Sequence, residues 1–117
     1  MRHYDLEERT ERFAEDVRAF LKSVRRSLLV EDDIRQLLRS SGSVGANYVE
    51  ANESLGRRDF RMRIKISLKE AKETGYWLRL LDVDQDETLE RVRTELVQET
   101  RELRCIFSTI LENSSGG

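Results

Sequence analysis

The sequence predicts an all-α protein, an antiparallel up-down-up-down four-helix bundle. The 117 residues contain no proline, and 38% of them are charged, a composition that suits long helices. Apolar side chains recur every three or four residues through four separate segments, and this is the helical period. Because short connections join these segments, neighbouring helices are expected to run antiparallel.

The first two segments begin near carboxylates that fit helix N-caps. Helix one is expected over about Leu6 to Leu29, with Asp5 and Glu8 arranged as a capping box. Asp33 is the expected cap of helix two. Apolar or small residues then follow at heptad-like spacing, namely Ile34, Leu37, Ser41, Val44, Tyr48, Ala51 and Leu55.

Within helix two, the stretch GSVGANYVEANE at residues 42–53 is either a glycine-rich phosphate loop or part of the helix. The apolar stripe passes through Gly42 and Gly45 without a change of phase, so the stretch is predicted to be helical. Each interior glycine destabilises a helix by about 1 kcal/mol relative to alanine. Close approach of another helix compensates for this, so we expect a packing surface. Its small residues are Ser41, Gly42, Gly45 and Ala46.

Helix three is expected from about Asp59 to Leu81, after Gly56 ends helix two in a left-handed conformation. A short turn follows. Asp84 with Glu87 is the expected cap of helix four, which carries apolar residues at the same period as the others.

The chain length fits one domain, expected at residues 1–112, with a flexible tail at 113–117. No apolar run approaches the ~18 residues of a membrane span, and the N-terminus lacks a signal-peptide core. We therefore expect a cytoplasmic protein without a membrane partner. Cys105, the single cysteine, cannot form an intramolecular disulfide and is predicted to be a core thiol in a reducing compartment.

Two kinds of enzyme site lack residues that they need. Glu50, Glu70 and Glu73 could approach a partly buried metal site, but the single histidine, His3, lies outside the expected bundle. Cys105 has no histidine within the fold to activate it as a nucleophile. The sequence therefore predicts a protein that is not an enzyme and needs no cofactor or metal.

Asn47 and Glu50 flank Tyr48 at the edge of the packed seam, where polar groups need partners. Asn47 could bridge backbone groups across a helix contact, and Glu50 could pair with a cation of helix three. The cations considered are Lys69, Lys72 and Arg79. A ligand role for Asn47 and Glu50 stays open. The candidate polar residues of helix packing or an interface are Ser43, Asn47, Tyr48, Glu50 and Trp77.

Charge is unevenly distributed along a chain whose net charge is -2. Residues 57–79 hold eight basic and three acidic side chains, whereas residues 80–117 hold four basic and nine acidic side chains. One interpretation is that neighbouring helices carry complementary charge. The other is a nucleic-acid contact, against which stands the lack of exposed aromatics among the cations. Its candidate residues are Arg57, Arg58, Arg61, Arg63, Lys65, Lys69 and Lys72.

Residues 34–81 resemble a known family through IRQLLRSSGSVGANYVEANE and RDFRMRIKISLKEAKETGYWLRLL. The most specific pieces are Ser43-Val44, Ala46-Asn47-Tyr48-x-Glu50-Ala51, and Leu68-Lys69-Glu70-Ala71-x-Glu73-Thr74 leading to Trp77-Leu78. This is similar to the bacterial four helix bundle proteins encoded in intervening sequences of 23S rRNA genes. The outer helices match only in pattern, and Ala51 stands where many members have glycine.

The resemblance implies a bundle that assembles into a homopentameric ring, with no established enzymatic activity. A more distant relation, the accessory variability determinant of diversity-generating retroelements, shares the pentameric barrel and binds nucleic acid. The residues themselves support assembly, since Val49, Ile66, Trp77 and Leu80 lie off the main stripes and would leave apolar surface exposed. We expect a non-enzymatic oligomeric module whose partners are copies of itself, and RNA, DNA or an RNA-associated protein. The alternative is a nucleic-acid-binding accessory protein whose basic patch is repeated around the ring.

Overall fold

The computed structural model describes residues 3–114, with side chains from Leu6 onward. This part of the chain forms four helices and contains no strand, as predicted. The helices are α1 (His3–Lys22), α2 (Leu28–Asn52), α3 (Arg57–Leu80) and α4 (Glu87–Asn113).

Hydrogen bonds between α2 and α3 show that these neighbours run in opposite directions. Ser67 Oγ donates to the Val44 carbonyl over 2.9 Å, and Thr74 Oγ1 donates to Ser40 Oγ over 2.9 Å. Each helix packs against the next one in the chain, and α1 also packs against α4. Among the described residues, the backbones of α1 and α3 do not come close to each other. The architecture is therefore a bundle with α1 and α3 on one diagonal, 49 Å along its longest axis.

The predicted apolar stripes meet in one core. Tyr48 and Phe107 pack at its centre with ring centroids 6.1 Å apart. Burying a large apolar side chain contributes roughly 1.5–3 kcal/mol, so these stripes are the main source of stability. The largest fully buried apolar side chains are Phe13, Phe107, Leu37, Ile64, Leu78, Leu81 and Leu103.

The glycine-containing stretch of α2 is helical over 42–52, which confirms that it is no phosphate loop. A Cβ added at Gly45 would lie 2.8 Å from Thr10 Oγ1 and 3.1 Å from Thr10 Cβ. At Gly42 an added Cβ would meet only the tip of Arg18, at 3.6 Å. The expected close approach of a second helix therefore occurs at Gly45 and not at Gly42.

Helices α3 and α4 use the same device at Gly75, where an added Cβ would lie 2.9 Å from Thr100 Oγ1. The hydroxyl of Thr100 donates to the Val97 carbonyl of its own helix over 2.6 Å. Thr10, which faces Gly45, likewise donates to the Leu6 carbonyl over 2.9 Å. Each glycine thus faces a threonine whose hydroxyl is satisfied locally, so the close contact leaves no unpaired donor.

The first helix ends at Lys22, well before the predicted limit at Leu29. Val24 remains buried in the turn that follows, whereas Leu28 is 95% exposed at the start of α2. Leu28 and Leu29, assigned to the end of helix one, therefore do not continue its buried stripe. No proline or glycine marks this turn in the sequence. The prediction used the apolar periodicity alone and therefore placed the end of the helix too late in the chain.

The caps predicted for the first two helices are wrong. Asp5 lies inside α1, which already begins at His3. Asp33 lies inside α2, whose N-cap is Ser27 in an extended conformation, with φ -162° and ψ 170°. A carboxylate near a helix start also favours the first turns through the helix dipole, so its presence alone does not locate the cap.

The predicted roles of Gly56 and Asp84 are also wrong. Gly56 is the N-cap of α3, with φ -150° and ψ 165°, and α2 has already ended at Asn52. The cap of α4 is Asp86, whose Oδ1 accepts a hydrogen bond from the Leu89 backbone N–H over 2.9 Å. Asp84 has a φ of 56°, so the chain is still turning there and the helix cannot start until it has passed this residue.

Of the predicted tail at 113–117, Asn113 is the last residue of α4 and Ser114 is its C-cap. Residues 115–117 lie outside the described residues. Within the described part, no helix combines the length and the apolar character that crossing a membrane requires.

Candidate functional site

An ion cluster crosses the seam between α2 and α3. The Arg39 guanidinium donates to both oxygens of Glu70 over 3.2 Å each, and it also reaches Glu73 over 3.3 Å. Glu70 is 6% exposed. The hydrogen bond from Arg39 to Glu70 is the main cause of the raised pKa of Arg39, and the partial burial of Arg39 acts to lower that pKa. Glu70 and Glu73 therefore join two helices.

Glu50, the third carboxylate considered for a metal site, is exposed on α2. Its side chain makes no ion pair with the helix-three cations expected to hold it, or with any other described residue. Among the described residues, no three His, Cys, Asp or Glu side chains group closely enough to hold a metal ion.

The prediction that Cys105 is a core thiol is wrong, because its side chain is exposed. Leu103 and Phe107 of the same helix are both fully buried. Because these two residues are four positions apart and share one helix face, the residue midway between them points away from the core.

Asn47 links α2 to α3 through both ends of its amide. Its Nδ2 donates to the Ser43 carbonyl over 2.9 Å, and its Oδ1 accepts from Arg63 Nη1 over 3.2 Å. The remaining aromatic candidates serve packing. Tyr48 is buried, and Trp77 is partly buried against the core with its indole N–H lacking a hydrogen-bond acceptor among the described atoms.

The basic run of α3 divides into engaged and free side chains. Arg63 is engaged by Asn47, and Arg61 Nη1 donates to the Leu111 carbonyl over 2.6 Å and to Ser114 Oγ over 2.8 Å. Arg61 therefore holds the C-terminal end of α4. The exposed members without an ion pair or hydrogen bond among the described residues are Arg57, Arg58, Lys65, Lys69 and Lys72.

Free cations line one open groove where α3 begins. Arg57, Arg58 and Lys65 surround a space of about 540 Å³ that is bounded on the α4 side by Ser114. The engaged guanidinium of Arg61 forms part of the same wall. The structure thus brings together the N-terminal half of the predicted basic patch.

A second groove lies between α3 and α4 and contains cations that the sequence did not predict. Lys72 lies there opposite Arg101 and Arg104 of α4. The two arginines belong to residues 80–117, where acidic side chains outnumber basic ones. The net charge of that segment therefore did not indicate a basic surface. Their spacing was the available signal, because positions 101, 104 and 108 lie on one helix face.

Two acidic residues of α4, Glu99 and Glu102, pair with α1 and not with the cations of α3. Arg9 of α1 donates to Glu99 over 2.6 Å and to Glu102 over 2.8 Å. The hydrogen bond to Glu99 is the main cause of a raised Arg9 pKa, and hydrogen bonds from Gln98 and Arg9 lower the pKa of Glu102. The described inter-helix ion pairs thus join α1 to α4 and α2 to α3. They do not neutralise the free cations of α3.

Comparison with known proteins places most of the bundle in one family. Residues 3–107 match the family described as 23S rRNA-intervening sequence protein. The fold is similar to a crystal structure of a protein with unknown function from the S23 ribosomal protein family of Bacteroides thetaiotaomicron. The TM-score is 0.74 at 29% sequence identity, over 90% of this chain and 96% of that chain. Comparison with curated proteins gives no significant match. Because the family match spans most of the chain and agrees with the helices observed, this protein belongs to the 23S rRNA-intervening sequence protein family.

Proposed function

We propose that this protein is a non-enzymatic module that assembles with copies of itself into a closed ring of five. The observation that carries the proposal is a pair of separate apolar surfaces that the single chain leaves exposed. The first lies on α2 and contains Leu38 and Val49, and the second lies on α3 and contains Met62 and Leu80. Exposed apolar surface of this kind marks interaction sites on soluble proteins.

The two surfaces differ, and this favours a head-to-tail contact. In a cyclic assembly one surface of each subunit meets a different surface of its neighbour until the ring closes. Charge supports the pairing. Glu7 and Glu11 of α1 outnumber Arg18 in the groove beside Val49, whereas Lys69 is exposed on the helix that carries Met62 and Leu80. Opposite charges at the edges of two apolar surfaces guide their association.

A structural role is supported by the use that the fold makes of its buried polar groups. Glu70 is held by Arg39, Ser67 donates to the Val44 carbonyl, and Thr74 donates to Ser40. All of these contacts join α2 to α3. The polar residues of the seam therefore fix the register of two helices.

The head-to-tail arrangement is tested by disabling one surface at a time. We expect Val49→Asp and Leu80→Asp each to give a folded monomer of 13.8 kDa by light scattering after size exclusion. Mixing the two variants restores one intact contact and no more, so the mixture should give a species of about twice the chain mass. Leu28→Asp, at an exposed position near the end of the bundle, is the matched control and should leave assembly unchanged.

Two results would overturn the proposal. The wild-type protein could elute as a monomer, or the mixture of folded variants could stay monomeric. Circular dichroism of each variant confirms that its helices are intact.

A second candidate function, nucleic-acid binding, is favoured by the free cations Arg57, Arg58 and Lys65 that share one groove. Met62 lines the same groove, so nucleic-acid binding there is an alternative to the ring contact through Met62. Binding of RNA or DNA should weaken steeply as salt rises, and Arg57→Glu with Arg58→Glu should reduce it. Absence of binding at low salt would remove this candidate.

A further inference from the structure

We infer that the ligand of the basic face is a single-stranded nucleic acid that lies along the outer surface of α3 and α4. In this arrangement Tyr76 stacks on a base, and Arg101 and Arg104 contact phosphates. The inference rests on the second candidate function, as an alternative to a ring contact through Met62 and Leu80, and deepens it by naming the strand type and the residues.

The residues concerned share one surface. Lys65, Lys72, Tyr76 and Arg79 are seven, four and three positions apart on α3, which places them on one helix face. Lys72 lines the same groove as Arg101 and Arg104 of α4. Cations from two helices therefore border one path.

These cations are available to a ligand. Lys65, Lys72, Arg101 and Arg104 make no ion pair or hydrogen bond among the described side chains. The α4 carboxylates Glu99 and Glu102 are turned away from the groove by their pairing with Arg9. Glu112, which lies in the groove lining, is itself already engaged in an interaction. The face thus carries excess positive charge, as a phosphate backbone requires.

Tyr76 supplies the feature that separates a nucleic-acid surface from a merely basic one. Its side chain is 51% exposed, and its ring meets Trp77 edge-on, with centroids 5.1 Å apart and an interplanar angle of 78°. Trp77 packs against the core and so fixes the tyrosine ring while half of the side chain stays open. The sequence-based expectation that no exposed aromatic lies among the cations is therefore wrong at Tyr76.

A fixed, open aromatic ring between cations is the arrangement on which unpaired bases stack. Bases inside a duplex are already stacked and paired, so a duplex cannot use Tyr76 in this way. From Arg57 to Tyr76 the path is about 28 Å long at 1.5 Å per residue.

The test is an anisotropy titration with labelled 12-nucleotide oligouridine, oligothymidine and an RNA duplex of equal length. We expect the wild-type protein to bind the single strands more tightly than the duplex. Tyr76→Ala should weaken single-strand binding at least ~5-fold, whereas Tyr76→Phe should retain it. Arg101→Glu with Arg104→Glu should weaken binding and reduce the slope of log affinity against log salt by about 1.4.

The matched charge control is Arg12→Glu with Lys22→Glu. Both residues lie on α1, whose backbone does not come close to α3 among the described residues, so single-strand binding should be unchanged. Alkylation of exposed Cys105, which lines the groove with Arg101, provides a readout that needs no variant. Bound oligouridine should slow this alkylation.

Each alternative outcome has a distinct meaning. Single-strand binding that Tyr76→Ala and the Arg101 and Arg104 substitutions leave unchanged overturns this inference but preserves the second candidate function. The inference is also overturned if the protein prefers the duplex. The same holds if heparin competes equally well with the single strand and Tyr76→Ala has no effect. Failure of every nucleic acid to bind at low salt removes the inference and the second candidate function together.

Discussion

The Arg39 guanidinium holds the Glu70 carboxylate at two points across the α2–α3 seam, with both N–O distances at 3.2 Å. The carboxylate is almost fully buried, whereas the arginine side chain is half exposed. A buried charge is tolerated only when it is paired and hydrogen-bonded. The Glu70 carboxylate therefore depends on Arg39 for its pairing inside the bundle.

Removing the arginine should destabilise the fold. We expect Arg39→Ala to lower the free energy of unfolding by about 2 kcal/mol. This is below the value for a fully buried pair because Arg39 is partly solvated. Arg35→Ala is the control on the same helix, since Arg35 and Asp32 are exposed and 3.7 Å apart, and it should change stability by less than about 1 kcal/mol. Urea denaturation measures both, and equal losses would contradict this account.

The two glycines of α2 should respond to alanine in opposite directions. At Gly45 the added methyl group would collide with Thr10 at 2.8 Å, so Gly45→Ala should destabilise the protein by about 1–2 kcal/mol. At Gly42 there is room, and Gly42→Ala should stabilise by about 0.5–1 kcal/mol through helix propensity. Thermal unfolding of the two variants makes the comparison. A more stable Gly45→Ala protein would show that the close contact with α1 is absent.

Arg61 should matter for the end of α4 and not only for surface charge. Arg61→Ala removes hydrogen bonds to the Leu111 carbonyl and Ser114 Oγ, so we expect a loss of about 1–2 kcal/mol. Amide hydrogen exchange should accelerate in the last turn of α4. Arg58→Ala, at an exposed position without a partner, should leave exchange there unchanged. Identical exchange in both variants would argue against the anchoring role.

Asp33 should reduce stability at neutral pH. Burial, reinforced by the neighbouring charge of Asp32, raises its pKa above the ordinary 3.8, so the folded protein holds the proton more tightly than the unfolded chain. The penalty is absent below the unfolded pKa and grows as pH rises through the folded one. Asp33→Asn should therefore raise the melting temperature at pH 7 and lose this advantage near pH 3. Exposed Asp16→Asn is the control, and a gain that does not depend on pH would contradict the ionisation argument.

The buried stripes were predictable because burial imposes a period on the sequence. Val17, Leu37 and Ile64, one from each of the first three helices, are fully buried, as their spacing predicts. The helicity of the glycine stretch followed from the same reasoning. Spacing could not decide which glycine has a close neighbour, because that depends on where Thr10 of α1 falls opposite α2.

Helix ends and surface residues were less predictable, for a different reason. Asp84 and Asp86 both precede α4, and only the backbone path of the turn decides which of them becomes the cap. The groove cations Arg101 and Arg104 and the open ring of Tyr76 acquire their setting from the packing of α3 against α4. The periodicity of a single helix does not show which residues of the next helix lie opposite.

The most direct measurement for the proposed assembly is the mass of the wild-type protein in solution by sedimentation velocity over a wide concentration range. The head-to-tail ring predicts a species of about five times the 13.8 kDa chain mass. Leu80→Asp should reduce that mass to the single-chain value. A wild-type mass of one chain at every concentration, with the helices intact by circular dichroism, would contradict the ring.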